Sequence, residues 1–350
     1  MPSVRVAVLG LNQGARIAAE LIKYPSVTLA AVAGFGSQAE HAAKRLAVPL
    51  CTDYQALLSE VALDAIVIAL PNQLHLPAVK AALDAGIRTI LLEKPIASTI
   101  EEGKEIVDLC TKANATLLIG HHRRSSSRYL TLQNVLASGA IGELVAIQST
   151  YAVMKPHDYF DLAWHTERTG GPLLLNAIHD LDDITYFTNG LKPLSVFASG
   201  SNRIRRNPSE DAVSVLIEYE QGVTATYFIS DGCPSPWNYD LASEEDERYV
   251  GCSDENSLKL FGTKGSLCYP HMNLYYYPEN KAGWNHPLKK ETFSVEKNDP
   301  LASEVAHFVD LCLGTTKKVR CSGNDALNTL KLVTAIFESL DSHSLVKIED

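Results

Sequence analysis

Residues 89–99 read TILLEKPIAST. Three apolar residues, Ile90, Leu91 and Leu92, stop abruptly at Glu93, Lys94 and Pro95. A short, unbroken apolar run matches a strand covered on both faces, which is the signature of a parallel sheet wrapped by helices. The charged residues then stand at the carboxyl end of that strand. In open parallel sheets the ligand crevice lies outside those ends.

Runs of the same kind recur on both sides. VRVAVLG (4–10), VTLAAVAGF (27–35), LCT (50–52), DAIVIAL (64–70) and TLLIG (116–120) are separated by helical patterns near 15–23, 38–46, 53–59, 75–85 and 99–113. Strands alternating with helices give βαβ units with right-handed crossovers. Further along, the strand-like segments become longer and consecutive: 144–153, 194–201, 212–220, 223–230, 257–262 and 266–270. Gln221-Gly222 and Thr263-Lys264-Gly265 supply hairpin turns between some of them. Helices are expected within 172–188, at 301–313 and at 325–341, and 231–256 reads as a long loop. At 350 residues the chain exceeds one comfortable core. The predicted fold class is therefore α/β. Residues 1–122 form a Rossmann-type doubly wound parallel sheet. Residues 123–350 form an α+β domain with a large, mostly antiparallel open sheet, and the last helix is able to pack back on the first domain.

Composition bounds the function. The chain is 46% hydrophobic and 21% charged, and no apolar stretch approaches the roughly 20 residues of a membrane span. The N-terminus runs straight into a strand, so no signal peptide is expected. A net charge of −10 with no basic stripe argues against nucleic acid. Seven scattered cysteines, none in CxxC spacing, read as free thiols in a reducing compartment, so the cytoplasm is the expected location. No metal site is expected.

The first strand ends in the turn GLNQGA (10–15). A dinucleotide turn needs a tight first Gly, a second residue that lets backbone approach the pyrophosphate, and a small third residue for helix–strand packing. Gly10 and Ala15 fit, Asn12 takes the second position, and Gln13 and Gly14 complete the candidate cofactor contacts. The second strand ends Ala33-Gly34-Phe35-Gly36-Ser37, with no carboxylate to grip a ribose 2′-hydroxyl. Gly34 and Ser37 are the candidate contacts there, with Arg16 or Lys44 as sources of charge. NADP is accordingly favoured, with NAD possible. Leu70, Pro71, Asn72 and His75 follow the fourth strand, and with Glu93 and Lys94 they complete the candidate cofactor site.

The Gly-rich turn, PNQLH (71–75), EKP (93–95), GGPLLLNAIHDLDD (170–183) and FGTKGSL (261–267) occur in an order that resembles the Gfo/Idh/MocA oxidoreductases, and the resemblance covers nearly the whole chain. It implies that Lys94 and His179 sit beside C4 of the nicotinamide and handle the proton of a secondary alcohol. It also implies a cis bond before Pro95. The family's usual Asp one turn before the histidine is replaced by Asn176, which orients substrate but carries no charge. Asp182 keeps the family spacing after His179.

Lys94, His179 and Asn176 are thus the candidate catalytic residues. All three, with His122, Arg123, Lys155, Tyr159, Trp164, His165 and Trp237, are candidate substrate contacts. The implied activity is NAD(P)-dependent oxidation or reduction at a carbinol of a sugar, cyclitol or related polyol. A dihydrodiol or other non-sugar substrate, or a catalytically silent nucleotide-binding regulator, is the alternative. A homodimer or homotetramer through the second sheet is expected, because its open apolar face has no helix to cover it.

Overall fold

The computed structural model describes residues 3–252, 254–279 and 281–348. In chain order the first elements are β1 (Val4–Leu9), α1 (Gly14–Leu21), β2 (Val27–Ala33), α2 (Gly36–Leu46), β3 (Leu50–Cys51), α3 (Tyr54–Glu60), β4 (Ala65–Ile68), α4 (His75–Asp84), β5 (Thr89–Leu92), α5 (Ile100–Lys112) and β6 (Thr116–Ile119). They are followed by α6 (Ser127–Ala137), β7 (Leu144–Ala152), α7 (Pro172–Leu175), α8 (Ala177–Phe187), β8 (Pro193–Ser201), β9 (Ala212–Tyr219), β10 (Thr224–Ser230), α9 (Tyr239–Ser243), β11 (Leu258–Gly262), β12 (Gly265–Tyr269), β13 (Asn273–Tyr276), β14 (Lys289–Thr292), α10 (Pro300–Leu313), α11 (Gly323–Ser342) and β15 (Val346–Lys347).

Contacts gather the chain into two compact units. One holds the residues up to Ser125 together with Pro300–Leu330. The other holds Ser126–Asp299 and the residues from Lys331 onward. In the first unit, six strands pair in parallel in the order β3-β2-β1-β4-β5-β6. The expected apolar runs are its core: β4 is buried throughout, and Ile90, Leu91 and Leu92 of β5 are fully buried. Leu70, Lys94 and His121 follow the carboxyl ends of β4, β5 and β6 and so lie at one end of the sheet. Residues 300–330 complete the unit. Gly323 stands where a Cβ would lie 2.9 Å from Leu117 and Val107, and Ile119 N–H donates to the Cys321 carbonyl at 3.0 Å.

The second unit holds a nine-stranded sheet, β14-β13-β12-β11-β7-β10-β9-β8-β15. It is mostly antiparallel, with β10 and β7 paired in parallel. From Val213 to Tyr219 strand β9 alternates between buried and exposed residues, and its buried set joins Leu181, Ile184 and Phe187 of α8 in one core. Val145, Phe197, Leu216 and Phe261 are among the apolar residues left 38–50% exposed on the sheet.

Several elements differ from the sequence reading. The expected helix over 172–188 is two helices, broken at Asn176 (φ −112°, ψ −47°). Helix α6 was not anticipated because its buried face carries Arg128, whose guanidinium donates to the carbonyls of Pro270 (3.0 Å) and Ser243 (3.1 Å). The charged strand β14 gave no apolar signal, since all four of its residues are exposed. The loop over 231–256 contains the short helix α9, capped by Asn238, whose side chain accepts from Leu241 N–H. All seven cysteines are free thiols. No described helix is long and apolar enough to cross a membrane.

Candidate active site

The turn after β1 is built by close approach. Gly10 has φ +86°, and a Cβ there would sit 2.1 Å from the Ala69 carbonyl oxygen. Gly14 opens α1, and a Cβ there would lie 2.8 Å from Val8 and 3.2 Å from Ala69. The close-packing role that the dinucleotide pattern gives to its third position is therefore shared by Gly14 and the buried Ala15. Asn12 is exposed on the turn, and Gln13 is the N-cap of α1 but makes no side-chain capping bond. A helix start with no side chain across it leaves its N–H groups and positive dipole end available to an anion, so the turn fits a pyrophosphate.

At the end of β2, Gly34 packs against Leu11 and Ala39, and a Cβ there would meet Ala39 at 3.0 Å. Ser37 lies in the first turn of α2, which has no acidic residue and no side-chain cap. Lys44 is in the last turn of α2, about 10 Å along the axis from Ser37. Arg16 is close enough to Glu93 to lower its pKa, and β5 lies three strand spacings from β2, about 14 Å.

Leu70 is half-buried after β4, Pro71 is exposed, and Asn72 opens a short 3₁₀ turn. His75 is fully buried. Its Nε2 lies 2.9 Å from Leu70 O, and its Nδ1 lies 3.0 Å from Pro95 O. Both ring nitrogens face backbone carbonyls, and the one that carries the proton donates to its neighbour, so the buried His75 ring sits between the ends of β4 and β5. Burial pushes its pKa down despite the three carbonyls around it.

The Lys94–Pro95 bond is cis. Lys94 is half-buried, and its pKa is lowered, chiefly by desolvation. Glu93 opposes that shift and Arg123 adds to it. The Glu93 carboxyl is buried with its pKa raised to about 7 by desolvation, and its Oε2 accepts from Lys94 N–H at 3.2 Å. Gly120 makes the room for it, since a Cβ there would lie 3.1 Å from the carboxyl carbon. The turn after β6 adds His122 and buried Arg123. Burial and then Arg123 and Lys94 push the His122 imidazole down to about 3, so it is neutral. One sheet edge therefore collects Arg16, Glu93, Lys94, His122 and Arg123 within mutual electrostatic reach.

In the second unit Asn176 and His179 occupy consecutive turns, and His179 N–H donates to Asn176 O at 3.2 Å. Asn176 Oδ1 is buried without a hydrogen-bond partner among the described residues. Asp182 follows one turn later and is buried. Of the two glycines before α7, Gly170 is pressed against backbone and Gly171 against a side chain. A Cβ on Gly170 would lie 2.3 Å from the Trp164 carbonyl oxygen, and one on Gly171 would lie 2.4 Å from the Glu210 carboxylate. Glu210 accepts from Leu173 N–H at 3.0 Å and so caps α7. Its position was not foreseen, because it comes from a distant loop with no local motif.

The four candidates after β7 come together. Lys155 Nζ lies 4.5 Å from the Tyr159 ring centroid, Tyr159 stacks on His165 at 3.9 Å, and Trp164 meets the same imidazole edge-on at 3.9 Å. Two residues that sequence reasoning missed complete this cluster. Asp231, with 1% of its side chain exposed, pairs with Lys155 Nζ at 3.1 Å and with Arg205. Burial is the main cause of the lowered Lys155 pKa, against the pull of Asp231. Trp237 stands apart from this stack. Its indole N–H donates to Glu255 at 2.9 Å, and its carbonyl accepts from Ala152 N–H at the end of β7.

Comparison with known proteins adds a second line. A family profile described as the oxidoreductase family with an NAD-binding Rossmann fold (Gfo/Idh/MocA) matches residues 4–121, and the Gfo/Idh/MocA C-terminal domain matches residues 129–268. The uncharacterized oxidoreductase YrbE of Bacillus subtilis (strain 168) is 26% identical over 308 residues, covering 86% of this chain and 82% of its own length. The inositol 2-dehydrogenase of Rhizobium meliloti (strain 1021) is 24% identical, covering 99% of both chains. The crystal structure of scyllo-inositol dehydrogenase from Lactobacillus casei, with NAD(H) and scyllo-inositol bound, superposes with a TM-score of 0.78 at 22% identity over 99% of both chains.

Proposed function

Because the chain belongs to the Gfo/Idh/MocA family of NAD(P)-binding oxidoreductases, we propose that it interconverts a secondary alcohol and a carbonyl on a sugar, cyclitol or related polyol. The observation that carries this reading is Lys94, a lysine at the carboxyl end of a buried parallel strand whose pKa is lowered by desolvation. A lysine of that kind is neutral for a larger share of the time near neutrality and can take an alcohol proton.

The turn Gly10–Ala15 would hold the pyrophosphate on the start of α1, with Leu70, Pro71 and Asn72 as further contacts. A bound nicotinamide supplies the two-electron redox chemistry. The protein's share is proton handling and orientation. Lys94 Nζ accepts the hydroxyl proton in oxidation and returns it in reduction. His179 serves as a second proton-exchanging group. Asn176, half-buried at the start of α8, orients a substrate hydroxyl through its side-chain amide. Lys155, Tyr159, Trp164 and His165 form an aromatic and cationic wall suited to polyhydroxylated ligands.

NADP is the proposed preference, since the end of β2 offers no carboxylate and α2 begins uncapped beside Ser37. A homodimer or homotetramer covers the exposed sheet residues Val145, Phe197, Leu216 and Phe261. Free thiols throughout fit the cytoplasm.

The test is absorbance at the reduced-nicotinamide band with NADP or NAD and a panel of sugars, cyclitols, polyols and dihydrodiols. Turnover that is lost in Lys94→Ala supports the reading. NADP binding without turnover on any member would favour a silent regulator. Light scattering at micromolar concentration checks the oligomer.

A further inference from the structure

Glu304 lies on the buried face of α10, in a stripe otherwise formed by Leu301, Val305 and Phe308. Residues spaced three and four apart share one helix face, so a carboxyl at this position is out of pattern. It is 2% exposed, and its Oε2 is buried with no hydrogen-bond partner among the described residues. Helix α10 packs against β5, whose end carries the second buried carboxyl, Glu93.

The surroundings treat the two carboxyls unequally. Glu93 has the Lys94 N–H bond and the charges of Lys94 and Arg16 in its favour. Glu304 has Arg320, whose help is outweighed first by burial and then by repulsion from Glu93. Arg320 is also shared, since its guanidinium donates to Ser303 O and its backbone N–H to His307 Nε2, each at 3.3 Å. On the same helix the His307 imidazole is pushed down to about 4 and stays neutral. The turn after β6, packed against α10, brings Arg123 and Arg124, and the latter pairs with Asp325 at 3.4 Å. With such a difference Glu93 ionises first, and the repulsion falls on Glu304, which would ionise second.

We propose that Glu304 is held as a neutral acid behind Glu93, so that the two carboxyls carry at most one negative charge between them, and that it is a positioning residue for Lys94. Its neutral dipole solvates the Glu93 carboxylate, and Glu93 in turn sets how readily Lys94 holds a proton. The protonation of Glu304 stands on its own, whereas its effect on Lys94 rests on the proposed oxidoreductase reading.

The two halves have separate readouts. A carboxyl held neutral in the fold has a folded pKa above its unfolded value of about 4.3. Unfolding then releases a proton, and the group's contribution to stability falls as pH rises from there through the folded pKa. Thermal unfolding of the full chain and of Glu304→Gln, from about pH 5 to about pH 8, is expected to show the Gln variant gaining on the wild type as pH rises. Glu304→Met is expected to move in the same direction, so the slope is readable even if one variant folds poorly. A gap that is flat, or that moves toward the wild type with rising pH, describes an ionised Glu304 paired with Arg320 and overturns the proposal. For the second half, the Lys94-dependent limb of kcat/KM is expected to move to lower pH in Glu304→Met and to return in Glu304→Gln. A limb unmoved in both variants removes the positioning role while leaving the oxidoreductase reading intact.

Discussion

The Glu93 carboxylate accepts a hydrogen bond from the backbone N–H of Lys94 at 3.2 Å, and no ion pair joins Lys94 Nζ to a carboxylate among the described residues. Glu93 therefore fixes the turn that aims the lysine and leaves its amine uncommitted. Lys94→Ala is expected to lower turnover by about 10²–10⁴-fold, the usual worth of a positioned acid–base group, with cofactor binding retained by thermal shift. Because desolvation lowers the Lys94 pKa, alcohol oxidation is expected to rise with pH through that lowered value, as the neutral amine forms. Carbonyl reduction is expected to fall over the same interval. A pH profile without this limb would place the proton on another group.

Gly10 is the position in the nucleotide turn least able to accept a side chain. Gly10→Ala forces a non-glycine residue to φ +86° and drives its Cβ against the Ala69 carbonyl. Backbone strain of this kind costs about 1–3 kcal/mol, and the overlap adds to it. Lower thermal stability together with loss of the cofactor-induced shift is expected. Loss of stability alone would mean that the turn is structural and does not hold the pyrophosphate.

Ser37 tests the cofactor preference. Ser37→Asp sets a carboxylate at the start of α2, where it repels a 2′-phosphate and accepts from a 2′-hydroxyl. NADP affinity is expected to drop tenfold or more, roughly 1.4 kcal/mol, while NAD affinity holds or improves. Titration of both cofactors by thermal shift reads this directly, and equal losses for both would show that Ser37 does not meet the ribose.

The parallel sheet and the identity of the Lys94 strand were legible because parallel strands buried on both faces leave continuous apolar runs such as Ile66–Ile68 and Ile90–Leu92. The functional groups at their ends were legible because charged and polar residues there interrupt the apolar runs. What escaped were residues whose meaning depends on distant partners. Glu210, Asp231 and Arg205 lie in or beside loops with no motif, and only the fold sets them beside Gly171 and Lys155. His75 escaped in the opposite sense: PNQLH suggested a cofactor contact, while the imidazole is fully buried and faces backbone carbonyls on both sides. Local sequence shows that a polar group sits near a strand end, but it does not show which way the side chain turns.

Asp231 neutralises two cations, Lys155 and Arg205, with 1% of its own side chain exposed. Removing the shared anion leaves two neighbouring positive charges largely desolvated, which costs about 3–5 kcal/mol in comparable buried pairs. Asp231→Asn is therefore expected to destabilise the protein more than Lys155→Met, because Arg205 still pairs with Asp231 in the latter. Denaturant unfolding of both variants orders the two effects, and the reverse order would mean that the Lys155 stem packs more than it pairs.

Asn176 stands where the family's resemblance pattern has an aspartate, at the junction of α7 and α8 and one turn before His179. A carboxylate there would meet the positive end of α8, which favours it, and would favour the protonated form of a neighbouring imidazole. Its burial opposes both, because the Asn176 Oδ1 position is closed to solvent. The nearby imidazolium is expected to win, since an ionised carboxylate one helical turn away favours the protonated ring. Asn176→Asp should accordingly move the His179-dependent limb of kcat/KM to higher pH, and Asn176→Ala should leave that limb in place while raising KM through loss of a hydroxyl contact. A limb unmoved by the aspartate would show that the two side chains point to different sides of the helix junction, and the role of Asn176 would then be confined to the break between α7 and α8.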